Sequence, residues 1–225
     1  MIAVIARSRV HRGPGVQLLS ELPEPPALRW SAFVVGLDGT VDFCEALTWA
    51  ADIRATRPYV PIGLVGRLRG SERSLVESLD RHGLSFAPVV DTEDLDGALP
   101  RVVPALRGQS VAAEILAAWL GEFEPSYEDS ANLLRGIALH GVRGGKSYTL
   151  HAEVNGRRLS ERTIRRRLKE ENLPTLAWLL RDARIRSVPL RHHFGASLCT
   201  ASRAAGWTSV ALYRKASRRH RERSA

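Results

Sequence analysis

The side chains with the most chemistry to offer are arginines set at helical spacing near the C-terminal end of the chain. Arg162, Arg165, Arg166 and Lys169 share a stretch in which Ile164 and Leu168 make an i,i+4 apolar pair and Ser160 stands at an N-cap position. A second such stretch carries Arg214, Arg218 and Arg219 behind Thr208 and Ser209, after a turn that contains Gly206-Trp207. A basic rod with one apolar stripe can dock on a protein core and lie in the major groove of DNA. Its guanidinium forks match phosphate oxygens and the exposed edge of guanine. By position, Glu161, Arg162, Arg165, Arg166 and Lys169 are the candidate DNA contacts of the first rod, and Thr208, Ser209, Arg214, Arg218 and Arg219 those of the second. Arg162 and Arg166 are favoured for base edges, Arg218 and Arg219 for phosphate; the plain alternative is that half of these are ordinary surface arginines. Trp178, Trp207, Leu168 and Leu212 read as core.

Little else offers chemistry. The first apolar run ends in Ala6-Arg7-Ser8-Arg9, which is neither a dinucleotide-binding glycine pattern nor a Walker A loop. No nucleophile and base stand at a recognisable spacing, so an α/β enzyme with a basic tail ranks last, with no catalytic residue and no cofactor expected. Cys44 and Cys199 have no metal-like spacing, which argues against a zinc site or a disulfide framework. His192 and His193 are adjacent, and adjacent residues on a helix point apart, so no metal pair is expected. Asp38 follows an apolar run and precedes Gly39; it closes a turn or caps the next helix.

Charge divides the chain. Of its net +9, residues 151–225 contribute 18 Lys and Arg against 6 Asp and Glu, while residues 1–140 carry a net −5. An acidic front and a basic tail imply two modules, the second built for a polyanion. Nothing approaches the ~18 apolar residues of a membrane span, and MIAVIARSRV is too short for a signal peptide, so a cytoplasmic chain with no membrane partner is expected.

The elements that must position these residues follow from periodicity. Apolar runs at 2–6, 32–37, 61–65 and 86–90 read as strands; 41–57 and 72–82 read as amphipathic helices; a short helix is expected near 16–22. A helix capped by Thr92 should stop near Leu99, ahead of Pro100 and Pro104. This alternation implies an open parallel sheet with helices on both faces. Residues 110–120 form a strongly apolar helix suited to a connector or a dimer interface, 122–129 an acidic linker, and 127–140 another helix. In the tail, Leu150 and Val154 fall on one face of a short helix before the first basic rod. A connecting helix spans 175 to about 188, cut short by Pro189, and residues 196–205 supply the helix before the second rod. The fold class expected is α/β plus all-α: residues 1–106 as the sheet domain, 107–140 as a helical connector, and 141–225 as a domain with two helix-turn-helix units joined by a helix.

Two resemblances sharpen this. The stretches LSERTIRRRLKEENLPTLAWLLRDARI and SLCTASRAAGWTSVALYRKASRR resemble the C-terminal domain of AraC/XylS-type transcription regulators, with Ser160, Leu168, Arg184-Ile185, Leu198, Gly206-Trp207, Ser209 and Tyr213 on family landmarks. That resemblance, covering about 147–220, implies reading helices in successive major grooves of double-stranded DNA and a homodimeric regulator. It departs at Pro189, at His192-His193-Phe194, and at Ser217, where the family has a second phenylalanine. Residues 1–106 resemble a response-regulator receiver domain, with Asp38 at the phosphoacceptor position. The acidic pair, hydroxyl residue and lysine that serve that chemistry are replaced by Ala6-Arg7-Ser8, Gly66-Arg67 and Asp91. The expected function is therefore a DNA-binding regulator whose N-terminal domain dimerises or binds a small-molecule or protein ligand. A phosphorylation-dependent response regulator using Asp38 is the alternative.

Overall fold

The computed structural model describes residues 2–6, 16–19, 31–37, 41–80, 86–125, 128–144, 152–154 and 157–224. They divide into two compact units, Met1–Ser110 and Val111–Ala225.

The first unit is built on a parallel sheet of five strands: β1 (Ile2–Ile5), β2 (Val16–Leu19), β3 (Ala32–Leu37), β4 (Ile62–Gly66) and β5 (Val89–Val90). Their order is β2-β1-β3-β4-β5, with Ile2 opposite both Val16 and Ala32, Phe33 opposite Ile62, and Leu64 opposite Val89. The inner strands are apolar without a break because both faces are covered. Ala3, Ile5, Phe33, Val35, Ile62 and Leu64 face helices α1 (Phe43–Thr56) and α2 (Gly70–Asp80), meeting Phe43, Ala46, Ala50, Ile53 and Val76. Ile2, Val4, Ala32, Val34 and Val65 point the other way, against Leu95, Ala98, Leu99, Val102 and Leu106 of α3 (Leu95–Phe123). Each fully buried Val, Leu, Ile or Phe among them contributes roughly 1.5–3 kcal/mol. Asp42 caps α1, its carboxylate accepting from the Glu45 N–H at 2.7 Å.

Three expectations fail here. Residues 16–19 are an edge strand, not the start of a helix; pairing with β1 outweighs the weak helical spacing of Val16 and Leu19. Asp94, not Thr92, takes the cap, accepting from Gly97 N–H at 2.8 Å, while Thr92 Oγ1 accepts from Asp94 N–H at 3.1 Å. And α3 does not stop at Leu99 but runs for 29 residues through Pro100 and Pro104. Both prolines are exposed and four residues apart, so their missing N–H groups fall on one wet face while Val102 and Leu106 hold the other to the sheet.

The second unit holds the end of α3, where Val111, Ile115, Leu116 and Trp119 are buried, then α4 (Glu128–Val142), β6 (Ala152–Val154), β7 (Arg157–Leu159), α5 (Glu161–Glu170), α6 (Leu176–His193), α7 (Leu198–Ala204) and α8 (Val210–Ser224). Hydroxyl side chains start the last four helices: Ser160 accepts from Thr163 N–H, Thr175 from Trp178 N–H, Ser197 from Thr200 N–H and Ser209 from Leu212 N–H, all at 3.1–3.3 Å. The ends of α5, α6 and α7 share another device. The residue after the cap is Asn172 (φ 55°), Gly195 (92°) or Gly206 (77°), and two N–H groups turn back onto the last turn's carbonyls. After α7 these are Gly206 N–H to Arg203 O at 2.9 Å and Trp207 N–H to Ser202 O at 3.0 Å.

Helix α6 lies at the centre, packed on α4, α5, α7 and α8. Pro189 does not end it; the helix continues to His193. Pro189 is exposed, and the extra turn is held by Arg191, whose guanidinium donates to the Val142 carbonyl at the end of α4 (3.1 Å). Where a short helix is expected before α5, the described residues 152–154 form a strand instead. Ala152 pairs with Leu159 and Val154 with Arg157 in an antiparallel ribbon; Leu150 lies outside the described residues.

Candidate nucleic-acid interface

On α5 the apolar pair is buried as its spacing requires, Ile164 at 0% and Leu168 at 1% exposure. Arg162, Arg165, Arg166 and Lys169 are exposed and Glu161 is half-buried. Several of these charges are already matched. Arg165 bonds Glu161 one turn earlier (Nη2–Oε1 2.6 Å), Arg166 lies 3.5 Å from Glu170, and Arg167 lies 3.6 Å from Asp129. Arg162 and Lys169 have no carboxylate within salt-bridge distance among the described residues.

Helix α8 is arranged differently. Thr208, Ser209, Arg214, Lys215, Arg218 and Arg219 are exposed, and among the described residues no carboxylate pairs with any of the four cations. Ser209 has a structural task as the cap. Lys215 belongs with the arginines although spacing alone did not single it out; its place between Arg214 and Arg218 was the available signal. Leu212 contradicts the expectation of a core residue. It is 50% exposed, because the inner face of α8 is formed by half-buried Tyr213 and Ser217 and buried Ala216 and His220.

The turn before α8 is clamped. Arg184 on α6 donates from Nε to Ala205 O (3.0 Å) and from Nη2 to Gly206 O (2.7 Å), and its guanidinium lies 4.6 Å from the centre of the Trp207 ring. Burial, and secondly the neighbouring Arg181, lower the Arg184 pKa from its ordinary value. The carbonyls at the negative end of α7 and the indole face hold the cation there. Trp207 also packs with Val188, Ala201, Ala205 and Tyr213. Gly206 faces Gly144, and a Cβ on Gly144 would lie 3.0 Å from the Gly206 Cα, so the turn touches the end of α4 backbone to backbone.

Beneath α8 lies a polar centre that no sequence spacing revealed. Asp182, 1% exposed, accepts from Trp119 Nε1 through Oδ2 (2.7 Å) and from Arg186 Nε through Oδ2 (2.7 Å), while its Oδ1 lies 2.7 Å from His220 Nε2. Arg186 in turn forms a two-pronged pair with Glu122, at 2.7 and 2.9 Å. Burial works against the Arg186 charge, but its bonds to Glu122 and Asp182 outweigh that and raise its pKa. Trp178 sits between Phe123 (ring centres 5.9 Å apart) and His220 (5.0 Å).

In the first unit Asp38 lies outside the described residues. Asp91, where a receiver would place lysine, pairs with Arg73 and accepts from Leu68 N–H at 3.3 Å. Among the described residues no cluster of three or more His, Cys, Asp or Glu could hold a metal ion, and no helix is long and apolar enough to cross a membrane. Comparison with protein-family models, with curated proteins and with solved structures gives no match.

Proposed function

We propose that the chain is a sequence-specific DNA-binding transcription regulator that reads duplex DNA with α5 and α8, as the resemblance to AraC/XylS-type regulators implies. The observation that carries this reading is the outer face of α8, where Arg214, Lys215, Arg218 and Arg219 stand exposed without carboxylate partners among the described residues. Four cations within two turns, on a helix whose opposite face is held to α6 and α7, form a surface for a regular polyanion. The α7–Gly206–α8 geometry, with its clamped turn, supports a helix-turn-helix in the second position. In the first position the hairpin β6–β7 precedes α5, so α5 enters the groove from a different scaffold.

The first unit is the regulatory part of the same proposal. The strand order 2-1-3-4-5 is that of flavodoxin-like doubly wound folds, and it supports the receiver-like reading. With Asp91 tied to Arg73 rather than replaced by a free lysine, phosphoryl chemistry at Asp38 lacks a cationic partner in that position. Its role in this reading is to form a homodimer or to take a small-molecule or protein ligand. Titration of labelled duplex with the full chain across a salt series tests the reading. Expected is affinity that falls steeply with salt and a selected sequence preferred over random competitor. Affinity independent of salt would refute it.

A further inference from the structure

Among the described residues nothing covers the exposed leucine on α8, and its surroundings suggest what it meets. Leu212 belongs to the first turn of α8, three residues beyond the cap Ser209, whose Oγ accepts the Leu212 N–H at 3.2 Å. The side chain is 50% exposed, the most exposed of the large hydrophobics among the described residues. Helical spacing puts Lys215 and Arg219 on its face at i+3 and i+7, and Ala211, also exposed, leaves room beside it. An apolar side chain beside cations that have no carboxylate partner among the described residues suits an occupant that is anionic at its edges and apolar at one point. The major groove of duplex DNA has that composition: phosphates on both rims, and one apolar group, the 5-methyl of thymine, on its floor. Residues in the first turn of a reading helix are also those that reach base edges, while later turns meet the backbone.

We propose that Leu212 is a specificity-determining residue that reads a thymine 5-methyl group, so that α8 selects its half of the site by apolar contact, while Arg214, Lys215, Arg218 and Arg219 bind phosphate. This rests on the DNA-binding reading above. The test begins with selection of a preferred duplex from a random library by the full-length chain. Each thymine of the selected site is then replaced by uracil, which removes only the methyl group. Expected is one position at which uracil weakens binding by about four-fold, the effect of one buried methyl. In L212A that penalty should vanish, with the salt slope unchanged and helix content by circular dichroism preserved. A selected site with no thymine-to-uracil effect, an equal effect in L212A, or an assembly of chains that dissociates on the L212A change would each overturn the inference while leaving DNA binding in place. Failure to select any duplex would instead refute the DNA-binding reading and this inference together.

Discussion

Helices α5 and α8 are similar in composition and unlike in what their charges face. On α5 the carboxylates of Glu161 and Glu170 lie one turn from Arg165 and Arg166, and Asp129 lies near Arg167, so much of the positive field is cancelled before any ligand arrives. On α8 Glu222 is spaced one turn from Arg218, yet among the described residues no ion pair joins a carboxylate to Arg214, Lys215, Arg218 or Arg219. A count of arginines therefore does not locate a polyanion surface; the ion pairs they already make decide it. The same contrast divides the work. Arg162 and Lys169 are the α5 cations left for a base or phosphate, whereas α8 supplies most of the attraction that depends on salt. Their inner faces differ too: α5 is held by Ile164 and Leu168, whereas α8 adds a polar anchor, His220 on the buried Asp182, to the packing of Tyr213 and Ala216.

The largest effect expected is the loss of that anchor. Asp182→Ala removes the acceptor for Trp119, Arg186 and His220, leaving buried donors unpaired. Such a change should destabilise the second unit by about 3–5 kcal/mol, seen in urea unfolding, with amide exchange rising first along α8. An equal loss from Ile164→Val, which should cost about 0.5–1.5 kcal/mol, would erase the contrast between the two anchors.

Next in size is base reading by α5. Arg162→Ala should cost about 1–3 kcal/mol at the selected duplex and relax preference at one base pair, measured by competition binding. Replacing Arg218 and Arg219 together by alanine should weaken all duplexes alike and make the plot of log affinity against log salt shallower by about 1.8. A specificity change from the α8 pair, or a uniform loss from Arg162, would reverse the division drawn here.

The cap comes third. Ser160→Ala and Ser209→Ala should each destabilise by about 1 kcal/mol, read as a shift in the thermal midpoint. The smallest effect sharpens the comparison most. Glu161→Gln and Glu170→Gln free Arg165 and Arg166 from pairs worth about 0.3–0.5 kcal/mol each, and binding to random duplex should strengthen by no more than a few-fold. A large gain would mean that α5 carries a suppressed field equal to that of α8.

Much of this arrangement is legible in the sequence where short-range physics decides. The apolar runs 2–5, 32–37 and 62–66 become inner strands because both faces of a parallel sheet are dry. The hydroxyl caps and the Gly206 turn are local devices, and Ser160 and Gly206-Trp207 could be read directly. Asn155-Gly156 stands between β6 and β7 and is the strongest short-range signal for a hairpin, yet the spacing of Leu150 and Val154 suggested a helix instead. Proline misled in the opposite sense. Pro100, Pro104 and Pro189 are breakers by rule, but on exposed faces of helices anchored along the other side they break nothing. The Asp182 centre was beyond reach, because Trp119 and His220 lie 63 and 38 residues away in sequence. The apolar side chain of Leu212 points to a core position in the sequence; only the packing of α8 through Tyr213, Ala216 and His220 shows it outside.

The most direct measurement is competition binding by the full chain between its selected duplex and random-sequence DNA, repeated from low to near-physiological salt. The expected result is a preference of about a thousand-fold or more, with non-specific affinity falling steeply as salt rises. No preference at any salt would contradict the assignment of α5 and α8 as groove readers.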